Sequence, residues 1–198
     1  AGIQLTGASY SSWPQVEQFH AALVRSLQEQ PGIEAAGATN TLPLAPGWRI
    51  PFLIRGVPPP ASGDEQTAQY HSVSEGYFES LGVQVLRGRL FDAHDTAQSR
   101  GVVVINQALA ERYFGAADPI GQTLISQATN VGPLGASLMK DRAQVIIGVV
   151  GNVKNSSLQR RAEAALYHST RQFPFRHLYL VARGSDAAQV GAAIREAT

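Results

Sequence analysis

The sequence predicts an α+β fold with two lobes, and three observations lead to this prediction. The front of the chain reads as strand, helix and strand, the long middle is rich in strands with only short helices, and the end reads as a strand followed by a helix. Because the two ends have similar patterns, we expect them to form one lobe together, residues 1–45 plus 171–198. Residues 46–170 are then expected to form an inserted β-rich lobe.

The front helix is predicted over residues 13–30, between a strand in "IQLTG" and a strand from Ile33 to about Thr39. Ser12 can cap its start, and the following proline suits the first helical turn. Pro31 and the glycine after it cannot continue the helix. One apolar stripe recurs at spacings of three and four residues and comprises Val16, Phe19, Leu23 and Leu27.

The middle of the chain alternates short strands with loops and two short helices. Ser74 is predicted to cap the first helix, "EGYFESL", and Asn106 the second, whose inward side chains would be Leu109, Tyr113 and Phe114. Gly115 would end that second helix. Strands are predicted over 49–57, 67–73, 83–89, 102–105, after "DPIGQ", 144–153, 164–169 and 177–183. Residues 127–143 are expected to be a long loop or hairpin tip, and a final helix over 185–197 would be capped by Ser185 or Asp186.

Composition excludes several classes of function. The chain has 198 residues, with Lys+Arg 16 against Asp+Glu 15, so it lacks the basic excess of a nucleic-acid-binding protein. It has no cysteine, which excludes disulfides, cysteine-based zinc sites, iron–sulfur clusters and cysteine nucleophiles. No apolar window reaches the roughly 18 to 20 residues of a membrane span, and the first residues lack the pattern of a signal peptide.

Site motifs are weak throughout the sequence. "FDAHD" brings Asp92, His94 and Asp95 together and could hold a metal, but a polar loop is the favoured interpretation because no further ligand cluster is evident. Dinucleotide and P-loop glycine patterns are absent, and the serine-rich start lacks a nucleophile elbow. We therefore predict no catalytic residue, no cofactor-binding residue, no metal ligand and no cofactor.

Arg87 and Arg89 flank Gly88 in the stretch "YFESLGVQVLRGRLF". In an extended chain both side chains would lie on the same side. We expect an arginine here to bond a carboxylate or carbonyl groups at a corner, and Arg89 with Phe91 to fix that corner. Contact with a partner protein is the alternative.

Seven motifs in order resemble one family. They are "PGIEAAGATNTLPL", "YFESLGVQVLRGRLF", "VVVINQALAERYFG", "DPIGQTL", "IIGVVGNVKN", "LYHSTRQ" and "LYLVARGSDAAQVGAAIREA". Together they resemble the extracytoplasmic core domain of MacB/FtsX-like ABC transporter permeases, in particular the group often found duplicated in acidobacteria. The resemblance covers nearly the whole chain. It departs at Gln107, at "GAAD" and in the long 127–143 segment, which leaves partner surfaces there unpredicted.

The resemblance implies a function. It places the domain at the periplasmic face of the inner membrane, between two membrane helices beyond Ala1 and Thr198, with a porter-like lobe that could lack its final strand. Implied partners are a separate cytoplasmic ATPase, a second permease copy, and an adaptor or outer-membrane channel. The implied role is non-enzymatic mechanotransmission of ATP-driven movement. The alternatives are a domain that binds a lipid, peptide or drug-like ligand, and a hydrolase using residues such as His94 and Asp95.

Overall fold

A computed structural model describes residues 2–6, 10, 12–43, 45, 47–61, 64–127, 142–153 and 162–197. Within these residues the fold is mixed and dominated by one 10-stranded sheet. The strands are β1 (Gly2–Gln4), β2 (Ile33–Thr39), β3 (Arg49–Ile54), β4 (Thr67–Val73), β5 (Val85–Gly88), β6 (Val102–Asn106), β7 (Thr123–Ser126), β8 (Ala143–Val150), β9 (Ala165–Ser169) and β10 (His177–Gly184). The helices are α1 (Trp13–Gln28), α2 (Tyr77–Ser80), α3 (Gln107–Tyr113) and α4 (Ala187–Ala197).

Six strands of the sheet close into a ring. The strand order is β1-β10-β2-β4-β3-β7-β8-β6-β9, and β4 also pairs with β9 in parallel register, from Gln69 opposite Ala165 to Val73 opposite Ser169. This pairing joins the two ends of the path β4-β3-β7-β8-β6-β9. Ring closure pairs both long sides of these strands, so little unpaired edge remains there.

The side chains that point into the ring form its core. Alternate residues of each strand face inward, as the period of two requires. α3 packs against this core through Leu109, and Tyr113 lies edge-on against Phe52 at 5.1 Å between ring centroids. The buried set includes Ile50, Phe52, Ile54, Tyr70, Val103, Ile105, Leu124, Ile146 and Leu166.

Of the remaining strands, β1, β10 and β2 extend the sheet away from the ring. Both neighbouring pairs, β1 with β10 and β10 with β2, are antiparallel. Helices α1 and α4 bury their apolar sides against this part, through residues such as Val16, Leu23, Leu27 and Ala193. The front of the chain is strand, helix and strand as predicted, but β10 lies between β1 and β2, so the two front strands are not neighbours.

A third core lies under the stretch that contains α2 and β5. Tyr77, Phe78 and Phe91 are buried there against Val104 and Tyr167. The aromatic residues of "YFESLGVQVLRGRLF" therefore serve packing. The four residues of β5 itself are exposed, and β5 pairs with β8.

Several predicted boundaries are corrected by the structure. α1 ends at Gln28 rather than at residue 30, since Glu29 already occupies the cap position. β3 ends at Ile54 because Val57 N–H bonds the Ile54 carbonyl (3.1 Å) across a turn with Gly56 at φ 83°. β8 likewise ends at Val150, before the predicted limit. The predicted loop 127–143 lies mostly outside the described residues.

The predicted helix caps have mixed outcomes. Asn106 is confirmed, because its side chain accepts a hydrogen bond from Leu109 N (3.0 Å). At α4 the capping residue is Asp186, which accepts from Ala188 N (2.8 Å). Ser74 was the wrong prediction for α2: the helix begins after Gly76, and the Ser74 hydroxyl is engaged elsewhere. No helix among the described residues has the length and apolarity to cross a bilayer.

Candidate coupling junction and cleft

The ring and the α1/α4-covered strands meet where β2 and β4 end. Ala38 N donates to Ser74 Oγ (2.8 Å), and Ser74 N donates back to the Ala38 carbonyl (2.9 Å). Asn40 N donates to the Ser72 carbonyl (3.1 Å), and Ser72 N donates to Asn40 Oδ1 (2.7 Å). Two reciprocal pairs of hydrogen bonds thus join the strand ends, although only Thr39 and Val73 pair as sheet residues.

The connection between β9 and β10 adds a third segment to this junction. Thr170 N donates to the Val73 carbonyl (3.0 Å), and Ser72 Oγ donates to the Phe173 carbonyl (2.7 Å). Because Ser72 and Phe173 are buried, water does not compete for these hydrogen bonds. We refer to the residues 38–40, 72–74 and 170–173 as the junction.

Two glycines let α2 lie directly on β2 beside the junction. A Cβ atom at Gly37 would come within 2.5 Å of Tyr77 N, which is closer than real Cβ contacts. Gly76 has φ 79°, a conformation that residues with a side chain rarely adopt, and a Cβ atom there would collide with the Ala36 carbonyl oxygen. The backbone approach therefore requires glycine on both elements.

Arg171 ties α1 to the junction from the outside. Its Nε donates to Glu75 Oε1 (2.6 Å) in the turn before α2, and its Nη1 donates to Glu17 Oε1 (3.2 Å) on α1. The side chains of Arg171 and Glu17 retain 29% and 25% of their exposure. A shared, partly shielded triad of this kind orients the groups more than an isolated surface pair would.

Gln172 holds the turn opposite α1. Its carboxamide is buried, and Nε2 lies within hydrogen-bonding distance of the Thr96 carbonyl (3.0 Å), Ser99 Oγ (3.1 Å) and the Arg100 carbonyl (2.9 Å). Its Oε1 accepts from Val102 N (3.0 Å). One side chain therefore fixes the whole turn before β6.

A cleft of about 290 Å³ lies between α1 and this turn. Its walls include Trp13, Pro14, Glu17, Ala97, Arg142 and Arg171. A smaller hollow of about 140 Å³ shares Glu17 and Arg171 with it, so their ion pair lies between the two cavities. The cleft is more apolar than the smaller hollow beside it.

A buried polar chain lies inside the ring near the junction. Ser126 Oγ and Gln144 Oε1 are 3.0 Å apart, and Gln144 Nε2 is 2.8 Å from His168 Nδ1. The His168 ring stacks on Tyr70 at 4.7 Å between centroids. Burial, with a smaller contribution from His71, lowers the pKa of His168 to about 3, so the imidazole is neutral at ordinary pH.

The residues of "FDAHD" lie at the corner that Arg89 fixes. Arg89 donates to both carboxylate oxygens of Asp95, at 2.7 and 2.9 Å, while Asp92 Oδ1 lies 3.1 Å from His94 Nδ1. The prediction that Arg89 binds a carboxylate at a corner is confirmed. Arg87 instead faces Asp118 at 3.7 Å on the surface. Among the described residues no three metal-binding side chains come together.

The sequence reasoning missed the junction and the cleft. The Arg171 triad joins positions in α1, before α2 and after β9, which are far apart along the chain. Single residues of these types occur in any loop, so no local pattern could have identified them.

Comparisons with known proteins agree with the motif order. The family described as "MacB-like periplasmic core domain" matches residues 4–197. The curated "Macrolide export ATP-binding/permease protein MacB" of Neisseria gonorrhoeae and that of Neisseria meningitidis serogroup B are each 32% identical over 90 residues, 46% of this chain. The matched part spans 12% of the length of these relatives.

Solved structures share the fold. The periplasmic region of MacB from Actinobacillus actinomycetemcomitans matches with a TM-score of 0.58 at 16% identity. The aligned part covers 98% of this chain and 79% of the MacB chain. The extracellular domain of the transporter YknZ from Gram-positive bacteria has a TM-score of 0.55 at 14% identity, with coverages of 97% and 86%. The resemblance found in the motifs is confirmed: the chain belongs to the family of MacB-like periplasmic core domains.

Proposed function

We propose that this domain is a non-catalytic part of an ABC transporter permease that transmits ATP-driven conformational change across the membrane. The relatives named ATP-binding/permease proteins support the transporter context. The observation that carries the proposal is the junction, where reciprocal hydrogen bonds join β2, β4 and the β9–β10 connection. A tightly bonded junction lets force applied to one part move the other part with it.

The two parts of such a lever are a porter-like lobe, residues 1–45 plus 171–198, and an inserted β-rich lobe, residues 46–170. Separate hydrophobic cores support this division, since Val16 and Leu180 pack in one core and Phe52 and Ile146 in another. The junction is where the lobes would be coupled.

Within the whole transporter, a separate cytoplasmic subunit would hydrolyse ATP. The resulting movement would be transmitted through a pair of permease copies to their domains at the periplasmic face of the inner membrane. An adaptor or an outer-membrane channel would receive the movement. The domain would itself break no bonds, and ionisable groups such as Asp95 and His71 have structural roles. Asp95 is paired with Arg89, and the burial that lowers the pKa of His71 to about 4 also shields it from any substrate.

Nucleotide-dependent distances between the two permease copies test this proposal. The domain has no cysteine, so a spin label can be placed at exposed Gln18→Cys on α1 or at exposed Glu111→Cys on α3, with other cysteines of the full permease removed. We expect ATP to change the distance between copies at both positions. Distances that stay the same at both positions would refute mechanotransmission.

Loosening the junction provides the second arm. Asn40→Ala with Ser72→Ala removes the two side-chain bonds of the junction, Ser72 N to Asn40 Oδ1 and Ser72 Oγ to the Phe173 carbonyl. We expect the ATP-dependent change at Glu111→Cys to shrink while that at Gln18→Cys persists. Arg87→Ala is the matched control, because it removes one exposed ion pair, to Asp118, that lies outside the junction. It is read at both label positions, and we expect the ATP-dependent change to persist at each.

Extracytoplasmic binding of a lipid, peptide or drug-like ligand is the second candidate function. The cleft beside α1 favours it, since a concave, mainly apolar surface with a few charged groups is typical of ligand sites. Native mass spectrometry of gently purified protein tests it in general form. A retained small molecule would support ligand binding, and a clean apo mass would count against it.

A further inference from the structure

We propose, resting on the second candidate function above, that the cleft between α1 and the turn before β6 binds a compact amphiphilic anion, meaning a flat apolar body that carries one acid group. The apolar body would lie against Trp13 and the prolines of the cleft. The acid group would lie at Arg142.

The apolar wall suits a flat ligand. Trp13 begins α1 and is half-buried, so one side of its indole is available to the cleft. Pro14, Ala97 and buried Pro174 continue this wall. Stacking on an aromatic face together with the burial of rigid apolar surface gives affinity without ordering long side chains.

Arg142 gives the cleft its preference for an anion. Its guanidinium lies 5.2 Å from the centre of the Phe173 ring, and its only hydrogen bond among the described residues is a long one of 3.4 Å to the Ala97 carbonyl. No carboxylate among the described residues forms an ion pair with it. A half-buried guanidinium held in place by an aromatic ring is prepared to bind an acid group.

The other charges of the cleft refine the position of that group. Arg171 is already shared between Glu17 and Glu75, so its charge is largely compensated. Glu17 would repel an acid group on the α1 side. The favourable place for the acid is therefore the Arg142 side of the cleft.

The walls are held in place before any ligand arrives. Gln172 fixes the turn that carries Ala97, and Arg171 fixes α1 through Glu17. The volume of about 290 Å³ lies at the lower end of ligand sites, which run from roughly 300 to 1,000 Å³. This size favours a compact molecule over a phospholipid with two acyl chains.

Two dyes with the same aromatic skeleton test the anion preference. The probes are 1-anilinonaphthalene-8-sulfonate, which carries an acid group, and N-phenyl-1-naphthylamine, which does not. The chain has two tryptophans, so Trp48→Phe leaves Trp13 as the only indole. We expect the sulfonate to bind one per chain with energy transfer from Trp13, and to bind more tightly than the neutral dye.

Variants at Arg142 separate charge from shape. Arg142→Gln is expected to weaken binding of the sulfonate about tenfold, the loss of a charge-assisted hydrogen bond, and to leave the neutral dye unchanged. Arg142→Lys should retain part of the affinity. Arg112→Gln is the matched control, since Arg112 lies over Tyr113 at 5.1 Å on α3 and should have no effect. Ala97→Phe should fill the cleft and exclude both dyes, with circular dichroism confirming that each variant folds.

The outcomes distinguish a failure of the anion preference from a failure of the proposed ligand binding. If both dyes bind equally, or Arg142→Gln leaves the sulfonate unaffected, the anion preference is wrong while ligand binding stands. If neither dye receives energy from Trp13, both the anion preference and ligand binding in the cleft are refuted. Phosphatidylglycerol vesicles form the last arm: failure to displace the sulfonate supports a compact ligand, and displacement would assign the cleft to a membrane lipid and overturn the compact class.

Discussion

Arg89 shows how a single side chain fixes the corner in the stretch "YFESLGVQVLRGRLF". It reaches Asp95, whose side chain is only 5% exposed, with two hydrogen bonds, and it also contacts Asp92 at 3.2 Å. The sequence allowed the prediction that an arginine would bind here, because the two arginines flank a glycine at a strand end. It did not identify Asp95 as the partner of Arg89, since that contact depends on how the chain turns after Gly88, whose φ is 69°.

Replacing Arg89 tests this role. Arg89→Ala would leave the buried Asp95 carboxylate without its cation, and we expect a loss of about 2 kcal/mol in the free energy of unfolding. Arg87→Ala is the matched control and should cost no more than about 0.5 kcal/mol, because its pair with Asp118 is exposed. Urea unfolding of the two variants measures both values. Equal losses would contradict the assignment.

Three buried histidines give the protein a dependence on acid. Burial lowers the pKa of His20 and His71 to about 4 and that of His168 to about 3. In the unfolded chain a histidine takes up its proton near its ordinary pKa of about 6.5, so between that value and about 4 the unfolded state binds more protons. Stability is therefore fully present above pH 7 and declines as the pH falls through this window.

Unfolding free energies at pH 7 and pH 5 check this sign. We expect each of the three histidines to lower the free energy of unfolding by about 2 kcal/mol between these pH values. His168→Gln should reduce the difference in unfolding free energy between pH 7 and pH 5 by about 2 kcal/mol, whatever its effect at pH 7. A free energy that is the same at both pH values would show that these side chains are not buried as described.

At the scale of elements, local signals predicted what local forces determine. The stripe of α1 and the breakers Pro31 and Gly32 defined a helix whose observed end lies two positions earlier. α2 was predicted less well because its surroundings, rather than its own residues, set its start. Ser74 looks like a cap in sequence, but its hydroxyl accepts a bond from Ala38 N in a strand that lies far away along the chain.

The contact between α2 and β2 makes a sharp prediction at this scale. Gly37→Ala would place a methyl group 2.5 Å from Tyr77 N, and neither backbone can withdraw without disturbing the junction. We expect a loss of about 2 kcal/mol or more, as for other overpacked sites. Gly47→Ala is the control, because the nearest atom to its new methyl lies at 3.7 Å. Thermal unfolding compares them, and a tolerated Gly37→Ala would refute the close approach.

At the scale of the whole molecule, the mixed fold followed from the order of the elements and the family from the order of the motifs, whereas ring closure followed from neither. The parallel pairing of β4 with β9 joins Gln69 to Ala165 and Val73 to Ser169, residues that lie far apart along the chain. Such a register depends on packing inside the ring, where Tyr70, Leu166 and Ile105 meet. Composition and periodicity mark each strand but say nothing about which strands become neighbours.

The junction and the cleft could not be predicted either, because the sequence does not show which segments become neighbours. Trp13, Arg142 and Arg171 lie far apart along the chain and line one cleft only in the folded structure. The division into two lobes stays a prediction, and the junction lies near the boundaries that it gives. Its tight bonding turns a two-part layout into a proposed lever.

The most direct test of the lever is the distance within one copy of the domain. Spin labels at Gln18→Cys on α1 and Glu111→Cys on α3 lie on either side of the junction. Pulsed electron paramagnetic resonance can measure the distance between the two labels in the full permease with and without ATP. We expect this separation to stay within about 2 Å while the distance between copies changes. A larger nucleotide-dependent change within one copy would mean that the junction bends, and the domain would then not act as a rigid transmitter.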